Sequence, residues 1–177
     1  DYLKLNSADT TENDNNYWND TAPTTSVSAI SDDNDVNDTD CTFIAYCWHS
    51  VEGYSKIGSY NGNGGTGDTN YEVNGETFVY TGFSPAWVLI RRKDTNITGD
   101  WYIFDTKRNP INHMDKVMKW NSTDAEETTN TGGYEIWIDF VSNGFKLRGP
   151  SGGINGSSGH YVYMAFAETP FKYANGR

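Results

Sequence analysis

The segment "EIWIDF" (residues 135–140) holds the two carboxylates in this sequence that most resemble a catalytic pair. Glu135 and Asp139 have the same parity, so they lie on one face of a predicted strand. Glycoside hydrolases hold their two carboxyl groups about 5 to 9.5 Å apart. Four residues along a strand span roughly 13 Å. We therefore interpret this pair as part of a solvated face.

Other catalytic signatures do not occur in the sequence. His49, His113 and His160 are dispersed, without the H-x-x-x-H spacing of a zinc site. There is no G-x-S-x-G nucleophile motif and no glycine-rich phosphate loop. We therefore expect a protein that is not an enzyme.

The loop "SDDNDVNDTD" (residues 31–40) concentrates carboxylates. Calcium takes six to eight oxygen ligands from carboxylates and carbonyls, so calcium is the one cofactor that the sequence suggests. The loop lacks the spacing and the closing Glu of an EF-hand, and a solvated acidic turn is the alternative. The candidate ligands are Asp32, Asp33, Asp35, Asp38 and Asp40.

Tryptophans beside Asn and Asp suggest a second kind of site. An aromatic ring can stack on a sugar while polar neighbours orient its hydroxyls, which would make cell-surface glycans a partner. Aromatic side chains of β-sandwiches also fill the core or pack between subunits, and this alternative stays open. The candidates for sugar stacking are Trp18, Trp101, Trp120 and Trp137.

Five N-x-[ST] triplets could accept N-linked sugars in a glycosylating cell. Such sites would have to lie in surface loops. A chain this rich in Asn, Ser and Thr also produces the triplet by chance. The candidate acceptors are Asn19, Asn37, Asn96, Asn121 and Asn155.

The two cysteines, Cys41 and Cys47, share one face of a predicted strand. They would lie about 20 Å apart along it, too far to bond to each other. We interpret them as buried free thiols, and disulfides to another subunit are the alternative.

Composition limits the fold and the partners. With 177 residues, 36% hydrophobic content, 15% aromatics and 18 glycines, we expect a turn-rich β protein of one domain or of one and a half small ones. A net charge of -11 argues against binding nucleic acid. No apolar run reaches the length of about 18 residues that a membrane span requires.

The predicted strands indicate two antiparallel sheets packed face to face, a jelly-roll or lectin-like sandwich with an extended N-terminal strand segment. Continuous apolar runs such as "AWVLI" and "YVYMAF" favour central strands. An Asn74-Gly75 pair predicts a hairpin turn. The predicted strands are "DYLKL", "SVSAI", Thr42–Trp48, the two arms of "YEVNGETFVY", "AWVLIRR", "WYIFDTKR", "YEIWIDFV", "NGFKLR" and "HYVYMAFAE".

An internal repeat links the two ends of the chain. Residues 36–48, "VNDTDCTFIAYCW", align without a gap on residues 154–166, "INGSSGHYVYMAF", at a constant offset of 118. Each copy is a polar turn that leads into a strand of aromatic and aliphatic residues. After the strand the copies differ, since Trp48-His49-Ser50 stands opposite Phe166-Ala167-Glu168.

Three segments together resemble a repeat domain of tail-fibre and other virion-associated proteins of tailed bacteriophages from aquatic environments. They are "FVYTGFSPAWVLIRRKDTNITGDWYIFDTKRNP", "IDFVSNGFKLR" and "YVYMAFAETPFKYANGR". The resemblance implies a concanavalin-like sandwich, present singly or in tandem, at a virion surface or outside the cell. It implies no assigned enzymatic activity.

Compared with that family, residues 61–177 look like a complete unit, and residues 1–60 match the closing half of a preceding one. We expect an unpaired strand edge to result. Our hypothesis is that Tyr2, Leu3 and Leu5 form a donor strand that joins the next subunit head-to-tail, in a fibre or filament. The alternatives are that this strand folds onto its own sandwich, and that the protein is a lectin-like adhesion module.

Overall fold

The computed structural model describes residues 1–64, 76–95, 99–129 and 136–169. This part of the chain contains two helical turns, α1 (Asn15–Trp18) and α2 (Asn34–Asn37). All its other regular structure is β. The strands are β1 (Ser55–Asn61), β2 (Thr77–Tyr80), β3 (Pro85–Arg92), β4 (Trp101–Asp105), β5 (Lys116–Lys119), β6 (Glu127–Thr128), β7 (Ile138–Val141), β8 (Gly144–Leu147) and β9 (His160–Ala167).

The strands form two sheets with antiparallel pairing throughout. The larger sheet has the order β1-β9-β3-β4-β5-β6, and the smaller has the order β2-β8-β7. One hydrophobic core takes side chains from both sheets. The predicted all-β sandwich is therefore confirmed.

The core forms because alternate residues of the central strands point at the opposite sheet. Tyr161 of β9 is fully buried and stacks on Tyr60 of β1 at 4.9 Å between ring centroids. Phe145 of β8 meets Tyr163 of β9 edge to face at 5.4 Å. Burying a large apolar side chain contributes about 1.5–3 kcal/mol, so such contacts hold the sheets together.

The long apolar runs behave as predicted. β3 and β9 lie side by side in the middle of the larger sheet, and β4 pairs with β3. The hairpin of β7 and β8 is also present, although β7 is shorter than predicted. The hairpin expected at Asn74-Gly75 lies outside the described residues.

Three strands were not predicted, namely β1, β5 and β6. β1, "SKIGSYN", is rich in Ser and Gly and carries a weak strand signal. It forms because β9 offers a pairing edge along its whole length. Gly58 makes room for the ring of Tyr163, which a Cβ at this position would approach to 3.0 Å. The predicted domain boundary at residue 60 lies inside this strand.

Three predicted strands near the N-terminus are wrong. "DYLKL" makes a single bridge, between Tyr2 and Glu12, and then turns. "SVSAI" is irregular, with Val27 65% and Ile30 53% exposed. Thr42–Trp48 belongs to no sheet. Each pattern fits a strand locally, but no sheet edge accepts it.

Candidate functional site

Residues 41–48, "CTFIAYCW", form an unpaired segment at the surface, which we call the arm. Within the described chain, no hydrogen bond involves residues 42–48. The large apolar side chains of the arm face water: Phe43 is 48% exposed, Ile44 80%, Tyr46 72% and Trp48 56%. Tyr46 and Trp48 contact each other, with 6.0 Å between their rings. The arm thus offers free backbone groups and apolar side chains together.

The cysteines lie on the arm, and both are exposed and free. The interpretation as buried thiols is therefore wrong. The apolar pattern predicted a buried strand, but no sheet of the described structure covers these residues. Both thiols are consequently accessible to another molecule.

The arm repeats a strand that the same chain buries. The constant offset places Phe43 opposite Tyr161, Cys47 opposite Ala165 and Trp48 opposite Phe166. In β9, Tyr161 and Ala165 are fully buried, and the strand lies between β1 and β3. Hence the arm has the sequence character of a central strand while lying outside any sheet.

The arm is kept off the edge of its own sheet by the residues that follow it. Val51 bridges Ser55, and the Ser55 Oγ donates to the carbonyl of His49 at 2.8 Å. The Ser50 Oγ accepts from the Ile57 N–H at 3.0 Å and donates to the Ile57 carbonyl at 3.3 Å. A strand added beside β1 would need these groups of Ile57. Because Ser50 already bonds both groups, a further strand cannot pair with β1 at Ile57, and the chain turns away from the sheet at this point.

The residues predicted as a donor strand contact their own chain in the structure. The Tyr2 N–H donates to the Glu12 carbonyl at 2.9 Å, and the Tyr2 hydroxyl donates to the Glu12 carboxylate at 2.6 Å. The Tyr2 ring stacks on Tyr17 at 4.2 Å. Leu3 is half-buried and Leu5 is 44% exposed at a turn. The backbone of this segment is thus partly paired, unlike that of the arm.

Arg91 attaches the N-terminal segment, residues 1–9, to the sandwich. Its side chain is fully buried and donates to the backbone carbonyls of Ser7, Asp9 and Gly99. The guanidinium also lies 5.3 Å from the centre of the Trp101 ring. Burial lowers the pKa of Arg91. A buried cation held by carbonyls ties residues 1–9 to β3, and no sequence pattern pointed to this role.

The acidic loop uses its carboxylates to shape the backbone. Asp33 caps α2 and accepts from the Asp35 N–H at 2.8 Å, and Asp38 accepts from the Asp40 N–H at 3.0 Å. Asp35 accepts from the Tyr17 hydroxyl at 2.5 Å, which raises the pKa of Tyr17. Asp32 is exposed. The described residues contain no group of three His, Cys, Asp or Glu side chains placed to hold a metal.

The predicted sugar-stacking tryptophans have different surroundings. Trp137 is 5% exposed and packs against His113, so its prediction is wrong. The Trp101 indole donates to the Lys4 carbonyl at 3.1 Å beneath the N-terminal segment. Trp120 is 52% exposed. Trp18 is half-buried and lines an open cleft.

That cleft has a volume of about 680 Å³ and is formed by the N-terminal segment, α1 and the turn after it. Its described lining contains acidic, amide and hydroxyl side chains but neither Lys nor Arg. The Asn13 amide, with its nitrogen toward the carboxylates, donates to Asp20 at 3.3 Å. The cleft combines an aromatic wall with hydrogen-bonding groups. Its lining includes Tyr2, Asp14, Trp18, Asp20 and Thr21.

Two of the glycosylation candidates are accessible. Asn19 ends α1 in a left-handed conformation with φ 49°, and Asn37 is the last residue of α2. Both are exposed. Asn96 lies outside the described residues.

The other two candidates are used by the fold. The half-buried Asn121 side chain accepts from the Trp101 N–H at 2.9 Å and donates to a carboxylate at 3.0 Å. Asn155 is fully buried, where it accepts from the Thr77 hydroxyl at 2.8 Å and donates to the Gly149 carbonyl at 3.1 Å. Asn155 is wrong as an acceptor, because a buried amide with both its groups bonded cannot carry a sugar.

The carboxylates at 135 and 139 do not form a described pair. Glu135 lies outside the described residues. Asp139 is 5% exposed, and its carboxylate accepts from Arg148 at 2.6 Å. Arg148 also pairs with Glu76. The interpretation of Asp139 as solvated is therefore wrong. Arg148, directly after the neighbouring strand β8, supplies the positive charge that a buried carboxylate requires.

A comparison with models of protein families finds a match over most of the chain. A family profile described as "Domain of unknown function (DUF7483)" matches residues 1–170. No curated protein matches the chain, and no solved structure does. In the described parts of the chain, no helix has the length and apolar character needed to cross a membrane.

Proposed function

The chain belongs to the family described as "Domain of unknown function (DUF7483)", and on that premise we propose that it is a non-enzymatic structural subunit whose copies associate through the arm. The observation that carries this proposal is the arm itself, a segment with the sequence of a central strand and no sheet around it. The expected setting, a fibre or filament outside the cell or on a virion, is the one that the phage resemblance implies.

The physical reason for association is the exposed surface of the arm. Contiguous exposed apolar side chains mark interaction surfaces in soluble proteins. Unpaired strand backbone adds a template for pairing with another chain. Each large side chain that becomes buried would contribute about 1.5–3 kcal/mol. These gains come only when a partner strand reaches the arm.

A second copy of the same chain can meet the arm without bringing charged residues of the two arms together. The protein carries a net charge of -11, which repels copies from each other. The arm itself, "CTFIAYCW", has no charged residue. Contact through the arm therefore brings copies together at an uncharged surface. The similar sequence of β9 forms a strand in this fold, so a strand conformation suits the arm as well.

A charge placed on the arm tests the proposal. We expect wild type to associate as its concentration rises in sedimentation velocity, and Ile44→Asp to stay monomeric. The control is Ile111→Asp, because Ile111 is also an exposed isoleucine, at 74% against 80% for Ile44. Wild type that stays monomeric throughout, or Ile44→Asp that associates as wild type does, would contradict the proposal.

The cleft at Trp18 supports a second candidate function, a lectin-like module that binds carbohydrate. Pockets of about 300–1,000 Å³ accept small ligands. With an aromatic wall, carboxylates and neither Lys nor Arg in its described lining, the cleft favours neutral sugars over acidic ones. We expect saturable glycan binding that Trp18→Ala abolishes and that Trp120→Ala leaves unchanged. A glycan array without a saturable signal would contradict this function.

A further inference from the structure

We propose that the arm pairs with the same arm of a second copy, antiparallel about a two-fold axis at Ile44, and that Cys41 and Cys47 then form two reciprocal disulfides. This inference rests on the proposed function and names the surface that the arm meets. It assigns a role to two thiols that the fold otherwise leaves free and exposed.

The spacing of the cysteines fits this register. When Ile44 lies opposite its own counterpart, Phe43 faces Ala45 of the second copy and Cys41 faces Cys47. Opposed residues of an antiparallel pair have Cα atoms about 4.5–5.5 Å apart. Disulfides join Cα atoms about 4.4–6.8 Å apart. The same two cysteines cannot bond within one arm that is paired as a strand, because six residues of a strand span about 20 Å.

The backbone also fits. Hydrogen-bonded and non-hydrogen-bonded pairs alternate along an antiparallel ladder. If Ile44 exchanges both bonds with its counterpart, Thr42 does so with Tyr46 of the second copy. Cys41 then lies in a non-hydrogen-bonded pair and does not use its N–H in the ladder. In the structure that N–H already points away, toward the Asp38 carbonyl at 3.4 Å.

The side chains complement each other across the axis. On one face each Phe43 ring packs beside the small Ala45 of the other copy, and the two disulfides flank them. On the other face the two Ile44 side chains meet, and these are the most exposed large apolar residues of the arm, at 80%. A large residue opposite a small one and an isoleucine opposite itself make a self-complementary contact, as two-fold symmetry requires.

Two edge strands of the described sheets, β1 and β7, are less suitable partners for the arm. Ser50 occupies the outer side of β1 at Ile57. The Asn112 side chain donates to the Phe140 carbonyl at 2.7 Å and accepts from the Phe140 N–H at 3.0 Å, which closes the outer side of β7. An isolated two-stranded ribbon is only marginally stable in water. Burial of the exposed apolar side chains of the arm would therefore have to stabilise the contact, and the disulfides would then make it permanent.

Each disulfide forms by oxidation. The sulfur of Cys41 and the sulfur of Cys47 from the second copy form one S–S bond and release two protons and two electrons. A disulfide-bearing oxidant such as glutathione disulfide accepts them and becomes two thiols. The contact closes on itself, so its product is a covalent dimer, which would serve as the unit from which a larger fibre is built.

Oxidation of single-cysteine variants tests the register. We treat full-length protein with glutathione disulfide and separate it by non-reducing electrophoresis. Wild type should give a dimer in which peptide mapping finds Cys41 linked to Cys47. Cys41→Ser alone and Cys47→Ser alone should each give at least a tenfold weaker dimer band, because like cysteines lie about 20 Å apart in this register.

Mixing the two variants gives the decisive measurement. Cys47 from one variant then faces Cys41 from the other, so the covalent heterodimer should return. A strong dimer from either variant alone, or no heterodimer from the mixture, would overturn the register. Sedimentation of reduced protein separates this result from the proposed function: association that persists without cross-linking leaves the function standing, and a reduced monomer at every concentration removes both.

Discussion

Ser50 and Ile57 are joined by two hydrogen bonds, in which the serine hydroxyl accepts from the Ile57 N–H at 3.0 Å and donates to its carbonyl at 3.3 Å. This contact lies where the chain passes from the arm to β1. It occupies the backbone groups of Ile57 that a hairpin growing from the bridge of Val51 and Ser55 would use. We infer that this contact, with the bond from the Ser55 hydroxyl to the His49 carbonyl, keeps the arm available to a partner.

Removing that hydroxyl should move the arm onto its own sheet. In Ser50→Ala the backbone groups of Ile57 are free, and residues 45–49 can pair with β1 in the same chain. We expect slower amide hydrogen exchange in the arm of dilute monomer and weaker association at high concentration. Ser26→Ala, in an irregular segment, is the control. Unchanged exchange in both variants would show that Ser50 does not hold the arm away.

Substitution of Arg91 should release the N-terminal segment. In Arg91→Met the carbonyls of Ser7, Asp9 and Gly99 lose their donor, and an unpaired buried carbonyl costs about 1–3 kcal/mol. We expect the free energy of unfolding in urea to fall by about 3 kcal/mol. Amides of residues 1–12 should exchange faster, while those of β9 stay protected below the unfolding transition. Loss of protection in both places at once would mean that the segment is not a separate attachment.

Replacement of Asn155 should destabilise the fold, whatever the expression host. Asn155→Ala removes the bonds to Thr77 and Gly149 and leaves a buried gap. We expect a loss of about 2–4 kcal/mol in urea unfolding. Asn37→Ala, which removes one exposed hydrogen bond to the Ser31 carbonyl, should cost less than about 1 kcal/mol.

Glycosylation provides a separate test of accessibility. After expression in a glycosylating cell, peptide mapping should find Asn155 unmodified in the folded protein. Any sugar among the four described acceptors should lie on Asn19 or Asn37, since both are exposed. A glycan on Asn155 would contradict its buried position.

Acid should weaken the fold partly through Asp94. The hydrogen bond from Arg92, at 2.7 Å, holds the pKa of Asp94 below its usual value of 3.8. A depressed pKa gives stability that is present above the unfolded value and is lost as pH falls through the folded one. The free energy of unfolding of wild type should thus fall below about pH 4. Asp94→Asn should show a smaller fall over the same range, and an identical slope would exclude this pair as a contributor.

The sequence best predicts the strands whose own residues are apolar enough to require burial. "AWVLIRR" and "HYVYMAFAE" are apolar on both faces, so they lie in the centre of the larger sheet as β3 and β9. β1 has no such pattern and forms only because β9 pairs with it. The arm has the same pattern as β9 and stays outside, because a pattern specifies a strand but not the presence of a neighbour.

The site residues were harder to predict for the same reason. The triplet at Asn155 contains no information on Thr77, which lies far away in the sequence, or on Gly149, which precedes it, although both form hydrogen bonds with the buried Asn155 side chain. Arg91 lies in a strand beside Arg92, and the residue types alone do not distinguish the fully buried arginine from the half-buried one. Only the alternating position within β3 could have suggested that Arg91 points toward the N-terminal segment.

The most direct test of the central claim is amide hydrogen exchange in residues 42–48 as a function of protein concentration. In dilute protein the arm is unpaired, so its amides should exchange at close to the rate of an unstructured peptide. In concentrated wild type they should become protected, while those of Ile44→Asp should remain fast and β9 should be unaffected in both. Rapid exchange of the wild-type arm at every concentration, including those at which the protein has associated, would contradict the claim that the arm joins the copies.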